Sequence, residues 1–288
     1  TDSKSETREY AVTAIQNLAF AKENRTRLAS YCSGVILEAL KKNLIGEESN
    51  DKARRRAAGA LTNLACEETA EILGQHDGLL DVLAEVSTSD GSDDVQKRAA
   101  LALTKIANSI TSKMPCHETL LSSMVKTASS IKCCTNVAAV LRSKARIMEN
   151  RFSMARHPNL LETLAEISTS DQSNDKDKDN AMRAIMHLTN ENANRKMMAN
   201  KSILDALVNA ASLSCVTHEN EVIRDSAITA IERLATDVSN RRIMAMHDGL
   251  LVAIAKATER EAKAEKLAPD KAKPRLAKPL LMSLLVAM

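Results

Sequence analysis

The 288-residue chain is poor in aromatic residues, with no Trp, two Tyr and two Phe. Because 44% of its residues are nevertheless hydrophobic, its core must be aliphatic. Seven Gly and five Pro are too few for the many tight turns that a β-sandwich, a β-barrel or a doubly wound sheet needs. These shortages predict an all-α chain.

The chain also lacks an excess of one charge and any long apolar run. Forty Lys and Arg against 37 Asp and Glu give a net charge of +3, unlike the concentrated positive charge of a dedicated nucleic-acid binder. The sequence has no signal peptide pattern and no 18-residue apolar stretch, so we expect no membrane span. Six scattered Cys predict no disulfide framework and a reducing compartment, either the cytoplasm or the nucleus.

The two ends of the chain suggest a fragment of a longer protein. The chain begins with Thr1 rather than Met, and residues 280–288 are still apolar where it stops. Since a repeat array normally ends in a polar helix, we expect self-association through this end. Residues 259–279 are interpreted as a charged helix extension and a Pro- and Lys-rich loop, with a basic localisation signal as the alternative.

Three sequence motifs recur along the chain. Residues 79–90 and 160–171 are identical at nine of twelve positions, and a weaker copy begins at Leu250. Each copy is preceded by a matching tripeptide, which we call the lead. The three leads are His76-Asp77-Gly78, His157-Pro158-Asn159 and His247-Asp248-Gly249. The second motif, Asn-Arg-x-x-(Met/Leu)-Ala, begins at Asn24, Asn150, Asn194 and Asn240. Its spacings of 126, 44 and 46 residues indicate a unit of about 42 residues, which is typical of helical repeats.

The third motif, Ala-Leu-x-x-Leu-Ala, sets the phase of the repeat. It begins at Ala14, Ala60, Ala102, Ala184 and Ala230, with Ile replacing Leu in several copies. Apolar residues three and four apart share one helix face, so these segments are predicted to be the inner helices of a stacked array. A degenerate copy at residues 138–145 has Lys144 where the second Leu is expected.

Each unit therefore has a short helix with the Asn-Arg motif, a Gly or Asn break, a helix beginning Leu-Leu or Ile-Leu, and a third helix. This order, with the Asn-Leu-Ala endings at Asn17 and Asn63, resembles the armadillo repeat of larger eukaryotic proteins. The resemblance covers nearly the whole chain. It implies a single right-handed superhelical α-solenoid of about six repeats over residues 1–288, with the third helices lining a concave groove.

The loops before the third helices are expected to be polar and solvated. They are residues 87–94 and 168–180. We interpret the charge cluster from Asp171 to Asp179 as a solubility feature near a helix start rather than a partner contact.

Reaction motifs are lacking, so we expect no catalysis, no cofactor and no metal. Cys116-His117-Glu118 is the nearest approach to a reactive cluster, but it has no second Cys or His at zinc-ligand spacing. Because His76, His157 and His247 recur at one position of the repeat, we assign them an architectural role.

The resemblance implies a peptide-binding stripe along the third helices. Taking the residue before the second Leu as the anchor, and positions one turn apart, gives the candidate groove residues Asn17, Arg55, Gly59, Asn63, Lys97, Leu101, Lys105, Arg183, His187 and Arg233. The family often carries Asn at the anchor, and import receptors add Trp, which this chain lacks. The stripe has a basic middle, including Arg54 to Arg56 and Arg98, which suits an acidic or phosphorylated peptide.

These features predict a non-enzymatic scaffold that binds a protein or an extended peptide. Two alternatives remain open. The chain is either the targeting region of a multidomain enzyme or a helical-repeat nucleic-acid binder, although the latter usually needs aromatic side chains to stack on bases.

Overall fold

The computed structural model describes residues 3–47, 49–110, 118–128, 134–214 and 217–267, together with positions 279, 282 and 284. Every regular element in these ranges is helical, so the predicted all-α class is confirmed. None of these helices is long and apolar enough to span a bilayer. The chain divides into two compact units, residues 1–140 and 141–288.

Unit 1 contains the first eight helices and a short 3-10 turn at Tyr31–Gly34. The helices are α1 (Ser3–Phe20), α2 (Lys22–Ser30), α3 (Val35–Ile45), α4 (Asp51–Leu64), α5 (Ala70–Gln75), α6 (Leu79–Thr88), α7 (Asp93–Ser109) and α8 (Glu118–Ala128). The helix α9 (Cys134–Arg146) begins in this unit and ends in the next.

Unit 2 contains the end of α9 and eight further helices. These are α10 (Met148–Arg156), α11 (Leu160–Thr169), α12 (Asp175–Leu188), α13 (Asn192–Met198), α14 (Lys201–Ser212), α15 (His218–Thr236), α16 (Val238–Ala245) and α17 (Leu250–Leu267). The predicted three-helix order is present as α2–α4 and α5–α7 in unit 1 and as α10–α12 and α13–α15 in unit 2.

The lead before each second helix is a sharp turn with a left-handed residue. Gly78, Asn159 and Gly249 have φ values of 65°, 63° and 80°, a conformation that Gly and Asn tolerate best. The carbonyl of the lead His accepts a hydrogen bond from the first residue of the second helix, at 3.1 Å from Leu79 and 3.3 Å from Leu250. The repeated lead therefore reverses the chain between the first and second helices.

The third helices pack side by side through Ala and Leu. In α4 and α7 the motif residues Leu61, Leu64, Leu103 and Ile106 are completely buried. Small Ala residues on the same helices allow neighbouring third helices to approach closely, and α1 packs on α4, α4 on α7, and α12 on α15. In the degenerate copy, Lys144 occupies the position of a core Leu and is only 6% exposed.

The prediction of a loop at residues 168–180 is wrong for the second half of that range. Helix α12 begins at Asp175, so the connection is limited to residues 170–174. The Asn174 Oδ1 atom accepts from the Asp177 backbone N–H at 2.9 Å, and its Nδ2 donates to the Asp177 carboxylate at 2.7 Å. This reciprocal cap starts the helix early and leaves Asp177 only 1% exposed, which the solvated-loop interpretation did not foresee.

The loop predicted at residues 87–94 is also shorter, because α6 ends at Thr88 and α7 begins at Asp93. At the other end of the chain, the predicted charged helix extension is helical as far as Leu267. The loop that follows it lies outside the described residues, as does most of the apolar end at residues 280–288 on which the self-association prediction rests.

Candidate functional site

The anchor positions of unit 1 bond one third helix to the next. Asn63 Nδ2 of α4 donates to the Gln16 carbonyl of α1 at 3.3 Å, and Lys105 Nζ of α7 donates to the Thr62 carbonyl of α4 at 3.2 Å. In each case the acceptor is the residue just before the preceding anchor. Asn17, the anchor of α1, is exposed.

The same bond is present in unit 2. Arg233 Nη1 of α15 donates to the Met186 carbonyl of α12 at 2.9 Å, and Met186 again precedes the anchor, His187. The anchor side chains thus form a ladder of contacts between successive third helices, a structural role that the sequence did not reveal. The one sequence signal for this role is that each donor lies 43 to 47 residues after its acceptor, which is about one repeat.

The position one turn before the anchor is Thr13 in α1, Gly59 in α4 and Leu101 in α7. A Cβ atom on Gly59 would lie 2.3 Å from Gln16 Nε2 and 3.5 Å from Arg98 Nη1, so the glycine lets these side chains cross α4. The Thr13 hydroxyl donates to the Glu9 carbonyl at 2.7 Å. Leu101 is 36% exposed and lies on the face of α7 that carries Lys105.

Two arginines of the predicted basic middle share a carboxylate. Arg98 Nε donates to both Asp94 oxygens at 3.2 Å, and Arg55 Nε lies 3.7 Å from Asp94 Oδ2. Asp94 therefore neutralises part of the charge on Arg55 and Arg98 across the α4–α7 contact.

The neighbouring arginines of α4 also bind within unit 1. Arg54 Nη2 donates to the Gly46 carbonyl in the loop before α4, at 3.1 Å. Arg56 Nη1 donates to Gln16 Oε1 at 3.3 Å. The exposed cations on this face of unit 1 are therefore Lys97 and Lys105, of which Lys105 also holds the Thr62 carbonyl.

Unit 2 carries a second group of basic residues around the predicted site residue Arg183. Arg183 Nε donates to Asp179 Oδ1 at 2.7 Å. Arg142 Nη1 lies 3.9 Å from the other Asp179 oxygen and donates to Asn180 Oδ1 at 3.0 Å. One carboxylate thus faces two guanidinium groups from α9 and α12.

His187 is half-buried among positive charges. Burial, and next the surrounding guanidinium groups, lower the pKa of His187 from 6.5 to about 4. These groups belong to Arg151, Arg142, Arg146 and Arg233. Burial also lowers the pKa of Arg142 and of Arg233, with neighbouring arginines adding to the effect. The imidazole is therefore neutral at pH 7 and lies in a strongly positive environment.

The repeated Asn-Arg motif caps the preceding third helix. Asn194 Nδ2 donates to the Leu188 carbonyl at 3.1 Å, and Arg195 Nε donates to the Thr189 carbonyl at 3.0 Å. Asn194 also donates to the Arg151 carbonyl of the preceding first helix, at 2.9 Å. Matching bonds are made by Asn24 and Arg25, Asn150 and Arg151, and Asn240 and Arg241. The motif is architectural and does not belong to the candidate site.

The lead histidines contact an acidic residue of the preceding second helix. His247 Nε2 lies 3.1 Å from Asp205 Oδ1, and His76 Nε2 lies 3.6 Å from Glu38 Oε2. These contacts agree with an architectural role for the histidines. Within the described residues, no group of three or more His, Cys, Asp and Glu is arranged to hold a metal ion. Of the sequence cluster at positions 116–118, Cys116 and His117 lie outside those residues.

Comparison with solved structures places the fold among armadillo-type repeats. A designed armadillo repeat protein is 21% identical, with a TM-score of 0.54 over 78% of this chain and 92% of that protein. A structure from work on a phosphorylation switch in the interaction between cadherin and β-catenin is 16% identical, with a TM-score of 0.55 over 100% of this chain and 58% of that one.

No protein-family profile and no curated protein sequence matches this chain. The likeness to armadillo repeat structures is therefore one of fold. It confirms the predicted all-α, armadillo-type solenoid.

Proposed function

We propose that this protein is a non-catalytic interaction scaffold that binds an extended peptide in the concave groove lined by its third helices. The observation that carries the proposal is the register of these helices. Asn63, Lys105 and Arg233 each hold the preceding third helix at an equivalent backbone carbonyl. Each array of third helices is thereby fixed, and a surface that is already ordered loses little conformational entropy when it binds a partner.

The proposed peptide is acidic. In unit 1, Lys97 and Lys105 are exposed along one face of α7, and Leu101 lies between them. Two cations and an aliphatic side chain on one helix face suit a segment in which acidic and apolar residues alternate. One of the structures of similar fold comes from work on the interaction between cadherin and β-catenin, so this fold is compatible with binding another protein.

The alternative of a targeting region in a multidomain enzyme needs the same binding face and differs only in what is attached to it. The alternative of a nucleic-acid binder has less support. Of the third helices, α4, α7, α9, α12 and α15 contain no Phe, Tyr or Trp on which a base could stack, and α1 alone carries two such residues, Tyr10 and Phe20.

A charge-reversal experiment tests the proposal. We would compare partner capture from a cell lysate by the wild type and by the Lys97→Glu/Lys105→Glu variant, after urea unfolding has shown that the variant is as stable as the wild type, because Lys105 also bonds to the Thr62 carbonyl. The control is Lys22→Glu/Arg27→Glu, which makes the same change of charge on two exposed residues of α2. We expect the α7 variant alone to lose specific partners. Equal capture by both variants would move binding away from the third helices, and release of captured material by ribonuclease would favour the nucleic-acid alternative.

A further inference from the structure

The third helices of unit 2 contain a cluster of basic side chains around a half-buried histidine. We define the His187 cluster by its members, which are His187 and Arg183 on α12, Arg142 and Arg146 on α9, and Arg233 on α15. Arg142 and Arg146 are one turn apart on their helix, as are Arg183 and His187 on theirs. Arg142 donates to Asn180 of α12, and Arg233 donates to the carbonyl of Met186 beside His187, so three successive third helices contribute donors to this cluster.

The positive charge of this cluster exceeds the acidic charge that accompanies it. Asp179 is paired with Arg183 and Arg142, at 2.7 and 3.9 Å. Glu232 acts on Arg233 from the neighbouring position of α15. Arg146 is exposed, and its side chain makes no hydrogen bond or ion pair with any described residue. In unit 1 the corresponding group is smaller, with one carboxylate for the two partly exposed arginines Arg55 and Arg98.

His187 adds an unused donor to the cluster. Its imidazole makes no hydrogen bond to any group in the described part of the chain, although it is half-buried. A neutral imidazole offers one N–H donor, and a protonated one offers two. A ligand that accepts hydrogen bonds and carries negative charge would satisfy the imidazole and offset the repulsion among the arginines.

We infer that the His187 cluster is a binding site for the phosphate group of a phosphorylated peptide side chain. A phosphate monoester carries close to two negative charges and three acceptor oxygens, and guanidinium groups bind it through paired N–H donors. A carboxylate carries a single charge and would offset only half of the excess of two positive charges that Asp179 and Glu232 leave on the four arginines. The inference rests on the proposed function, because a bound peptide would present the phosphate.

The choice of a peptide over RNA follows from the helices that form the cluster. Helices α9, α12 and α15 have no Phe, Tyr or Trp, so the half-buried imidazole of His187 is the one ring of the cluster on which a base could stack. The excess positive charge is also confined to one place, whereas the backbone of a nucleic acid carries one negative charge per nucleotide along its whole length. A single dianion fits this distribution better than a polyanion does.

Binding of a phosphate has a consequence for the protonation of His187. In the free protein, burial and the charges of Arg151, Arg142, Arg146 and Arg233 keep the pKa of His187 at about 4. On its own helix, Arg183 and Asp179 form an ion pair one and two turns away. A dianion beside the ring favours the imidazolium form, so the pKa of His187 rises when phosphate binds. A peptide that binds elsewhere leaves this pKa unchanged.

The test uses the whole chain and three blocked pentapeptides, acetyl-Gly-Gly-X-Gly-Gly-amide, in which X is O-phosphoserine, Glu or Ser. Proton NMR follows the His187 ring signal, which is assigned by its disappearance in the His187→Gln variant. We expect the phosphoserine peptide to raise the pKa of His187 by about one unit or more. We expect it to bind about tenfold more tightly than the Glu peptide, and the Ser peptide not to bind.

A matched pair of variants locates the site. Arg146→Gln removes an exposed guanidinium that has no partner in the described structure, so folding should not change. Arg242→Gln removes an exposed guanidinium from α16 of the same unit. Arg146→Gln should weaken phosphoserine binding about tenfold, and Arg242→Gln should not affect it.

Three results would overturn the inference. They are equal binding by the two variants, an unchanged pKa of His187 at saturation with phosphopeptide, and tighter binding of a single-stranded RNA 12-mer that is lost in Arg146→Gln. Failure of the proposed function gives a different result. Partner capture would then be indifferent to Lys97→Glu/Lys105→Glu, whereas the phosphoserine peptide would still shift the His187 signal.

Discussion

Residues two positions apart on one third helix have opposite roles, as Leu101 and Leu103 of α7 illustrate. Leu103 is completely buried, and Leu101 is 36% exposed on the candidate face. The motif Ala-Leu-x-x-Leu-Ala identifies the buried partner correctly, and the predicted core positions Leu64, Leu103 and Leu188 are all fully buried.

This contrast gives a prediction with a control on the same helix. Leu103→Asp should destabilise the protein by more than about 4 kcal/mol or prevent folding, because it buries a charge without a partner. Leu101→Asp should change the free energy of unfolding by about 1 kcal/mol or less. Urea unfolding followed by circular dichroism measures both. Similar losses would show that the two faces of α7 have been assigned incorrectly.

The protonation of His187 gives a second prediction, for stability against pH. Its pKa is about 4 in the folded protein, against 6.5 for an unperturbed histidine, so between these values the unfolded chain binds more protons. Stability should therefore be complete above pH 6.5 and fall as the pH is lowered towards 4. His187 is half-exposed, so after allowance for solvent screening we expect a loss of about 1 kcal/mol.

The measurement is urea unfolding at pH 7, 5.5 and 4 for the wild type and His187→Gln. The difference between the two proteins isolates this histidine from the other titrating groups. The wild type should lose more stability than the variant over this range. An equal loss in both proteins would contradict the low pKa of His187.

Among elements, the first helix of each repeat is held by hydrogen bonds to the end of the third helix before it. The Asn of the motif reaches back six residues to a terminal carbonyl, and in the α4–α5 junction the hydroxyl of Thr69 reaches the Leu64 carbonyl instead. Carbonyls at the end of a helix have no partner within the helix, so these bonds satisfy groups that packing would otherwise leave buried and unpaired.

A third prediction concerns this cap. Asn194→Ala should cost about 2 kcal/mol, because the Leu188 and Arg151 carbonyls both lose a donor while Asn194 itself is fully buried. Asn192→Ala, at an exposed position on the same helix, should cost less than about 0.5 kcal/mol. Thermal unfolding by calorimetry compares the two. If Asn192→Ala were as damaging as Asn194→Ala, the buried cap would not be the cause.

Across the chain as a whole, each repeat contacts mainly its neighbours, so stability should be local. In unit 2, α12 contacts α10, α11 and α15. Repeat proteins of this kind behave as a chain of units coupled to their nearest neighbours. A defect in one repeat is therefore expected to spread to adjacent repeats first.

This locality is the fourth prediction. Leu188→Ala removes a fully buried side chain from α12 and should lower the protection of amide hydrogens in α10 to α15. Protection in α3, α4 and α6 should stay close to that of the wild type. Hydrogen exchange read by mass spectrometry gives the comparison. A uniform loss in both units would show that the whole chain unfolds as one cooperative unit.

Local sequence patterns were enough to establish the helical class, the three-helix order and the buried positions of the third helices. These depend on local spacing, because residues three and four apart share a helix face wherever the helix lies. The turn residues Gly78, Asn159 and Gly249 were found for the same reason, since a left-handed conformation is a property of a single residue.

Tertiary packing determines which candidate site residues have partners within the fold. Asn63, Lys105 and Arg233 bond to the preceding third helix, and Arg55 shares Asp94 with Arg98. The guanidinium groups of Arg142, Arg146, Arg151 and Arg233 act together on His187. Each of these outcomes depends on side chains about 40 residues apart in sequence, which helical periodicity does not relate to one another. Only the stacking of the repeats brings them within hydrogen-bonding or Coulombic range.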